Sequence, residues 1–406
     1  HEWCQRRSIY PSFLSGITFF SGRNIYLTLA LQAALVSVSI FLFIRKCLPY
    51  AGIAGAIICF ALLFIYASST LFPLTLTENA GLIFGCISLT LLLRSAENRS
   101  LFLLAFGIAF MSIALNARAG AFFVLPFLVI WAGISAYLLK ESVWRWVFVA
   151  LAAVLAGFIL QSLLVYGVGG NPSNSHGNFS YTLYGLTVGG KGWSQVLIDH
   201  PEIGLGDAAK SKVIYALAWR NFVENPVMFF TGLSKNVSLF ILSGTYGFEK
   251  LGSLSIFAKT LWWISWVPLL KNAKKPAYLL IILLSLGVVL SMPLLIGDGG
   301  SRLFAATVAV DVLQIGIGFT WLVMVIFKLF PIVGSHFKKE LIGNNKISLP
   351  LLEPVFAVGL LLLIILPFTP IRLLSAQKLP SFESCPSAEN TVITKLDKAT
   401  MYLEYS

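Results

Sequence analysis

The sequence predicts an all-α polytopic membrane protein: a helix bundle of about ten spans, with an extracytoplasmic loop that itself contains amphipathic helices. Three observations carry that expectation. Hydrophobic residues make up 57% of the 406 and charged residues only 11%, against about 25% charged in globular chains. Apolar runs of spanning length follow one another along the chain. The basic residues gather in alternate short connections, as the positive-inside rule requires. No single soluble core absorbs this much apolar surface. The net charge of +12 does not collect into a nucleic-acid-binding patch, so nucleic acid is not expected as a partner.

The elements follow in order. Residues 1–24 read as the end of a first extracytoplasmic loop. The opening "HEWCQRRSIYP" has no initiator Met, no basic-then-apolar signal and no first span, so a segment upstream of residue 1 is expected. Spans fall near 25–44, 51–71, 77–93, 101–115, 120–139, 147–168, 254–270, 277–296, 303–327 and 351–370, since about 20 apolar residues cross the hydrocarbon core. The runs at 77–93 and 101–115 are short for a full crossing. The chain thus divides into an N-terminal bundle (25–168), an extracytoplasmic loop (169–253), a C-terminal bundle (254–370) and an extracytoplasmic tail (371–406).

Arg45 and Lys46, Arg94 and Arg99, Lys140 and Arg145, then Lys271, Lys274 and Lys275 occupy alternate connections, and Lys328, Lys338, Lys339 and Lys346 continue the series. These are the cytoplasmic ones. The run "NPVMFFTGLSKNVSLFILSG" (225–244) would break the alternation if it spanned. Phe229, Phe230, Leu233, Val237, Phe240 and Ile241 follow helical spacing, with Thr231, Ser234, Lys235 and Ser238 opposite. An interfacial amphipathic helix is expected there. Another is expected just before it, in "AAKSKVIYALAWRNFVENP", ending at Asn225–Pro226.

Charge is sparse on the outer side, and candidate site residues stand out for that reason. The short outer turns hold Glu78 after "FPLTLT", Arg118 in "NARAG", and Asp298 with Arg302 in "GDGGSR". Arginine presents a planar fork to phosphate oxygens, and a nearby carboxylate can take a proton from an attacking hydroxyl. Together they suit a phospholipid head group. Two simpler roles stand beside this one: Asp298 pairing with Arg302 across the bend, and Glu78 complementing the dipole of the helix it precedes. Asp311 sits nine residues into the run that begins at Leu303, about 13 Å deep at 1.5 Å per residue. It must be paired, protonated or turned to the bundle interior.

In the long loop, Lys191 of "VGGKGW" lies beside Trp193, where it either meets a phosphate or sugar or is plain surface. Asp199, His200 and Glu202 of "IDHPE" read either as a metal cluster or as a solvated turn, and the spacing matches no strong ligand motif. His176 lies in the same loop. The sequons at Asn178 and Asn236 are short enough to arise by chance. The five cysteines show no CxxC; Cys59 and Cys86 fall in apolar runs as buried thiols, and Cys385 has no evident partner.

Four stretches, in order, resemble lipid-dependent glycosyltransferases of the GT-C class, in the branch of bacterial relatives of protein mannosyltransferases and aminoarabinose transferases. "RRSIYPSFLSGI" (6–17) is similar to the family's R-P-P-x-Y-P stretch, "LFPLTLTEN" (71–79) to its P…(T/S)E turn, "NARAGAFFVLP" (116–126) to its R-x-x-G turn, and "GDGGSRLFAATVAV" (297–310) to its late R-Y-x-x-P turn. Leu303 and Ala306 replace the Tyr and Pro of that last turn. The resemblance covers roughly residues 5–370. It implies inverting transfer of a sugar from a polyprenyl-phosphate carrier to a lipid, glycan or protein acceptor, at the outer face of what is expected to be a bacterial plasma membrane. It implies that Arg7, Arg118 and Arg302 hold the carrier phosphate and that Glu78 shapes the pocket. Lys191 and Asp298 join them as candidates from the residues themselves. The catalytic base would lie in the first outer loop, upstream of residue 1; no metal ligand is assigned, and a divalent metal is left open. The alternatives are a transporter or flippase of lipid-linked intermediates, which Asp311 favours, and a surface-polysaccharide polymerase or ligase.

Overall fold

The computed structural model describes residues 8–70, 75–167, 179–203, 208–242, 253–295, 300–329 and 352–365. Among these the chain is all-helical, with no strand. Arg7, Asp298, His176, Asn178, Cys385 and the tail after 370 lie outside the described residues. The helices are α1 (Ile9–Phe20), α2 (Ile25–Thr70), α3 (Thr77–Asn98), α4 (Leu101–Ala117), α5 (Val124–Leu139), α6 (Val143–Gly167), α7 (Phe179–Thr187), α8 (Gln195–Asp199), α9 (Ala208–Glu224), α10 (Pro226–Leu242), α11 (Ser253–Lys271), α12 (Pro276–Leu295), α13 (Val308–Leu329) and α14 (Leu352–Ile365). Short 3-10 turns cover Pro201–Ile203 and Gly300–Phe304.

Five of these helices are long and apolar enough to cross a membrane: α2, α3, α6, α12 and α13. The expectation of about ten spans counted both halves of α2 and several shorter or less apolar helices as well. At 1.5 Å per residue, the 44 residues of Ile25–Ser68 would extend about 66 Å, twice the hydrocarbon thickness. Gly52 divides them. Its φ of 63° and ψ of 179° belong to glycine alone at no steric cost, and Pro49 lies just before it. Within residues 1–24, expected as loop, residues 9–20 form α1, whose Phe13 meets Phe84 edge-on at 5.3 Å.

α3 is the central helix: 94% of its apolar window is buried, against 28% for the peripheral α6. The second half of α2 runs antiparallel to it. At one end Lys46 and the Tyr50 hydroxyl (2.6 Å) both engage Glu97; at the other, Tyr66 sits in the field of Glu78. α13 in turn runs antiparallel to that half of α2, since Cys59 Sγ donates to the Val312 carbonyl at 3.3 Å and Thr320 Oγ1 to that of Ala51.

The charges therefore sort to two ends. Arg45, Lys46, Arg94 and Lys275 share one, with Glu97, Glu353, Tyr50 and Tyr278. Glu78, Arg118 and Arg302 share the other. At the basic end, buried Glu353 in the first turn of α14 receives Arg94 and, at 3.7 Å, Arg45. This pairing docks α14 beside α1, where Gly16 abuts the Leu363 backbone.

Beyond the bundle, α7 to α9 close around a small second core of Tyr181, Tyr184, Val196, Ile203, Ile214 and Ala218. α10 forms as expected and is not one of the helices long and apolar enough to span. It docks on the last turns of α12, where buried Asn236 donates to the Pro293 carbonyl at 2.7 Å. That side chain is occupied, so the sequon at Asn236 offers no free amide.

Replacing Glu353 with leucine leaves two guanidinium groups near one another without their counter-charge. Losing one partner of a buried pair costs about 3 kcal/mol. The expected result is a lower unfolding midpoint in detergent, whereas Glu224→Ala, at an exposed i,i+4 pair with Arg220, leaves it within about 0.5 kcal/mol.

Candidate functional site

Three separate elements meet at the end opposite the basic loops. Glu78 comes from the first turn of α3, Arg118 from the C-cap of α4, and Arg302 from the 3-10 turn Gly300–Phe304. The Glu78 carboxylate is fully buried, with a side-chain exposure of 0%. Its Oε1 accepts from Arg302 Nε at 2.6 Å and lies 3.5 Å from Arg118 Nε. Its Oε2 accepts from Thr77 Oγ1 at 3.1 Å. Arg118 Nε also donates to the Arg302 carbonyl at 3.3 Å, which ties the turn to the end of α4. Being in the first turn, Glu78 also complements the dipole of α3, so both roles expected for it are compatible.

The sequence explains how these residues reach each other. Gly85 on α3 faces the Ala306 backbone, and Gly120 faces the Leu303 carbonyl, each too closely for a Cβ. A Cβ on Gly81 would come within 3.3 Å of Ala305. The Gly81-x-x-x-Gly85 groove lets residues 303–306 lie directly on α3, as small-xxx-small faces do between membrane helices. Arg302 is thereby carried onto the N-terminus of α3.

The two arginines differ in what they have left to offer. The side chain of Arg118 is 17% exposed and that of Arg302 50%. Arg302 meets Glu78 through Nε, and among the described residues no other engages its guanidinium. Its terminal Nη groups carry four N–H donors in one plane, on a side chain half in solvent. Two cations on one anion leave a net positive charge at the cluster. Arg302 bonds the carboxylate of Glu78, 224 residues earlier in the chain; the expected pairing of Arg302 with Asp298 lies outside the described residues.

Other candidates fall elsewhere. Lys191 is exposed on a loop turned by Gly189, Gly190 and Gly192, at φ of 87°, 71° and 89°. Its N–H donates to the Gly185 carbonyl at 3.1 Å, and no contact joins it to Glu78. Asp199 is taken up by Tyr184 Oη at 2.9 Å and Gln195 Nε2 at 2.8 Å, while His200 Nδ1 pairs with Glu202 at 3.1 Å. Burial, then the bond to Asp199, pushes the Tyr184 hydroxyl above its ordinary pKa. "IDHPE" is thus a turn held by side-chain pairs, and no group of three or more His, Cys, Asp or Glu placed to hold a metal occurs among the described residues.

Asp311 proves to lie in the first turn of α13, because the α-helix starts at Val308 rather than Leu303. The expected depth of nine helical residues is corrected accordingly. Its partner, which no sequence spacing named, is Trp262: the indole Nε1 donates to Oδ1 at 3.2 Å. Gln314 Nε2 reaches the Trp262 carbonyl at 3.4 Å and Ser285 donates to Gln314 at 2.6 Å, so a polar seam joins α11, α12 and α13.

Compared with family models, curated proteins and solved structures, the chain matches none.

Gly85→Ala drives a methyl into the Ala306 backbone. Overpacking of this kind costs about 1–3 kcal/mol, and the turn that carries Arg302 must shift. The expected outcome is a lower unfolding midpoint together with faster modification of Arg302 by an arginine-specific dicarbonyl. Gly359→Ala, with nothing within 4 Å, should leave both unchanged or gain up to about 1 kcal/mol from helix propensity.

Proposed function

We propose that the protein is a membrane glycosyltransferase that moves a sugar, with inversion, from a polyprenyl-phosphate carrier to an extracytoplasmic acceptor. The observation that carries the proposal is the half-exposed Arg302 guanidinium, anchored at Nε by a buried carboxylate and with both Nη groups unbonded among the described residues. A planar donor fork fixed in orientation suits two phosphate oxygens. The net positive charge of the cluster suits an anion that becomes more negative as it departs.

In the proposed step the acceptor oxygen bonds to the anomeric carbon as the bond from that carbon to the phosphate oxygen breaks. The electron pair stays on the phosphate, where Arg302, backed by Arg118, stabilises it. The acceptor's proton passes to a carboxylate, which the family resemblance places in the first outer loop. Arg118 is the less accessible partner; it holds the turn through the Arg302 carbonyl. Arg7 and Asp298 belong to the proposed site by resemblance and by sequence proximity respectively. The segregation of basic residues to the opposite end supports an outward-facing Glu78 end, with a bacterial plasma membrane as the proposed location and about ten crossings as the proposed count. Membrane lipid, the lipid-linked donor and an acceptor are the proposed partners, and a divalent metal remains compatible with the scheme.

A second reading, a transporter of lipid-linked intermediates, is favoured by one observation: the Asp311–Trp262 pair in the polar seam. The two readings separate on one pair of variants. In membranes containing the full chain and a labelled polyprenyl-phosphate sugar, Arg302→Ala should lower transfer by about 10²–10³-fold, the loss typical of removing a transition-state donor. Arg302→Lys should recover part of it, because a point charge replaces the fork. Movement of the labelled lipid across the bilayer that Asp311→Asn abolishes and Arg302→Ala leaves intact, with no transfer to an acceptor, would favour transport instead.

The proposed orientation has its own test. A cysteine introduced at Gly300 should react with an impermeant thiol reagent from outside the cell, and one at Lys274 should not. Equal labelling contradicts the orientation.

A further inference from the structure

We propose that the elbow between α9 and α10 is a lipid-surface anchor. In this arrangement Trp219, Val223, Val227 and Phe230 insert at the headgroup–acyl boundary of the leaflet on the Glu78 side of the bundle. This inference needs only that the bundle spans a membrane; it does not depend on the transferase proposal.

The exposure of these four residues is the first observation. They are 66%, 61%, 68% and 61% exposed, on either side of the Asn225–Pro226 turn. Their helices already bury other faces. α9 packs inward through Ile214 and Ala218, and α10 through Gly232 and Asn236. The exposed apolar residues are therefore a second face that none of the described residues covers. A contiguous apolar surface of this kind marks an interaction site.

The occupant follows from position and charge. Asn236 bonds the Pro293 carbonyl, two residues from the end of α12, a helix long and apolar enough to span. The opposite end of α12 lies with Lys275 and Tyr278 at the basic end. The turn of α10 around Asn236 is thus fixed near the level where that helix would leave the hydrocarbon, about 13 Å of helix from Val227. Lys212 and Arg220 on α9 flank Trp219, and Lys235 lies on α10. Cations beside an aromatic–aliphatic stripe are the composition of a helix lying in the headgroup plane.

The elbow is also stiff. Trp219, Phe222, Phe229 and Phe230 form a chain of ring contacts across the turn, with centroids 5.7, 5.3 and 5.6 Å apart. Lys235 Nζ donates to the Gly190 carbonyl at 3.2 Å, which links α10 to the loop that follows α7. An anchored elbow would hold this small domain, with Lys191 on its loop, at a set height above the membrane.

The test uses the full chain in vesicles containing anionic lipid. Cys4 and Cys385 are replaced by serine, while Cys47, Cys59 and Cys86 are buried and stay unreactive. Val223→Cys or Val227→Cys is labelled with an environment-sensitive NBD fluorophore, and Glu202→Cys, exposed on the small domain, serves as the water-facing control. Lipids carrying a nitroxide near the headgroup should quench the label at 223 and 227 several-fold more than aqueous iodide does, with the reverse at 202. Two independent positions keep the test decisive if one variant fails to fold. Quenching by iodide and not by lipid at 223 and 227 overturns the proposal. Protection from both quenchers also overturns it, by showing that protein covers the face.

Discussion

One buried carboxylate organises the end of this molecule opposite its basic loops. Glu78 carries a full charge at the head of the most buried helix of the bundle, a position tolerable only with a counter-charge in contact. Arg118 and Arg302 supply it. Because they come from the end of α4 and the turn before α13, satisfying Glu78 fixes three distant parts of the chain against each other. The glycines of α3 and Gly120 make the close approach sterically achievable. The positive charge left over is the feature from which the proposed phosphate chemistry follows.

The opposite end repeats the same device for a different purpose. Glu353 also gathers two arginines, Arg45 and Arg94. Both of those are mostly buried, and Arg45 Nη1 is enclosed without a bonding partner. That cluster closes on itself and docks a helix. The Glu78 cluster instead leaves one arginine half in solvent with its fork open. Buried ion pairs are weak evidence for stability, so what separates a clamp from a candidate site is donor capacity that solvent can reach.

Much of this was legible in the sequence, for an identifiable reason. Composition forces burial in a bilayer, and apolar run length with alternating basic loops places α2, α3, α6, α12 and α13. Charges in otherwise uncharged turns drew notice to Glu78, Arg118 and Arg302 one at a time. Their union was not legible: sequence proximity offers Arg302 only its neighbour Asp298, and the bond to Glu78 comes from tertiary packing. The Gly81-x-x-x-Gly85 spacing was the overlooked signal, since it marks where another backbone lies on α3. Asp311 was misplaced in depth because an apolar run does not disclose that Leu303 and Phe304 form a 3-10 turn before the helix proper. Glu353 drew no notice because its partners, Arg45 and Arg94, read sufficiently as topology markers. Lys191 stood out for its glycine neighbours, which turn the chain and do not bring it to the cluster.

The central claim is that Arg302 is held open for a phosphate on a lipid. It is tested most directly by comparing polyprenyl phosphate with the uncharged polyprenol of equal length as stabilisers of the purified full chain against thermal unfolding. Binding to the folded state alone raises the midpoint by mass action. The account expects the phosphate to raise it in a concentration-dependent way that Arg302→Ala removes, with little effect from the alcohol. Equal stabilisation by both lipids, or stabilisation by the phosphate that Arg302→Ala leaves intact, would contradict it.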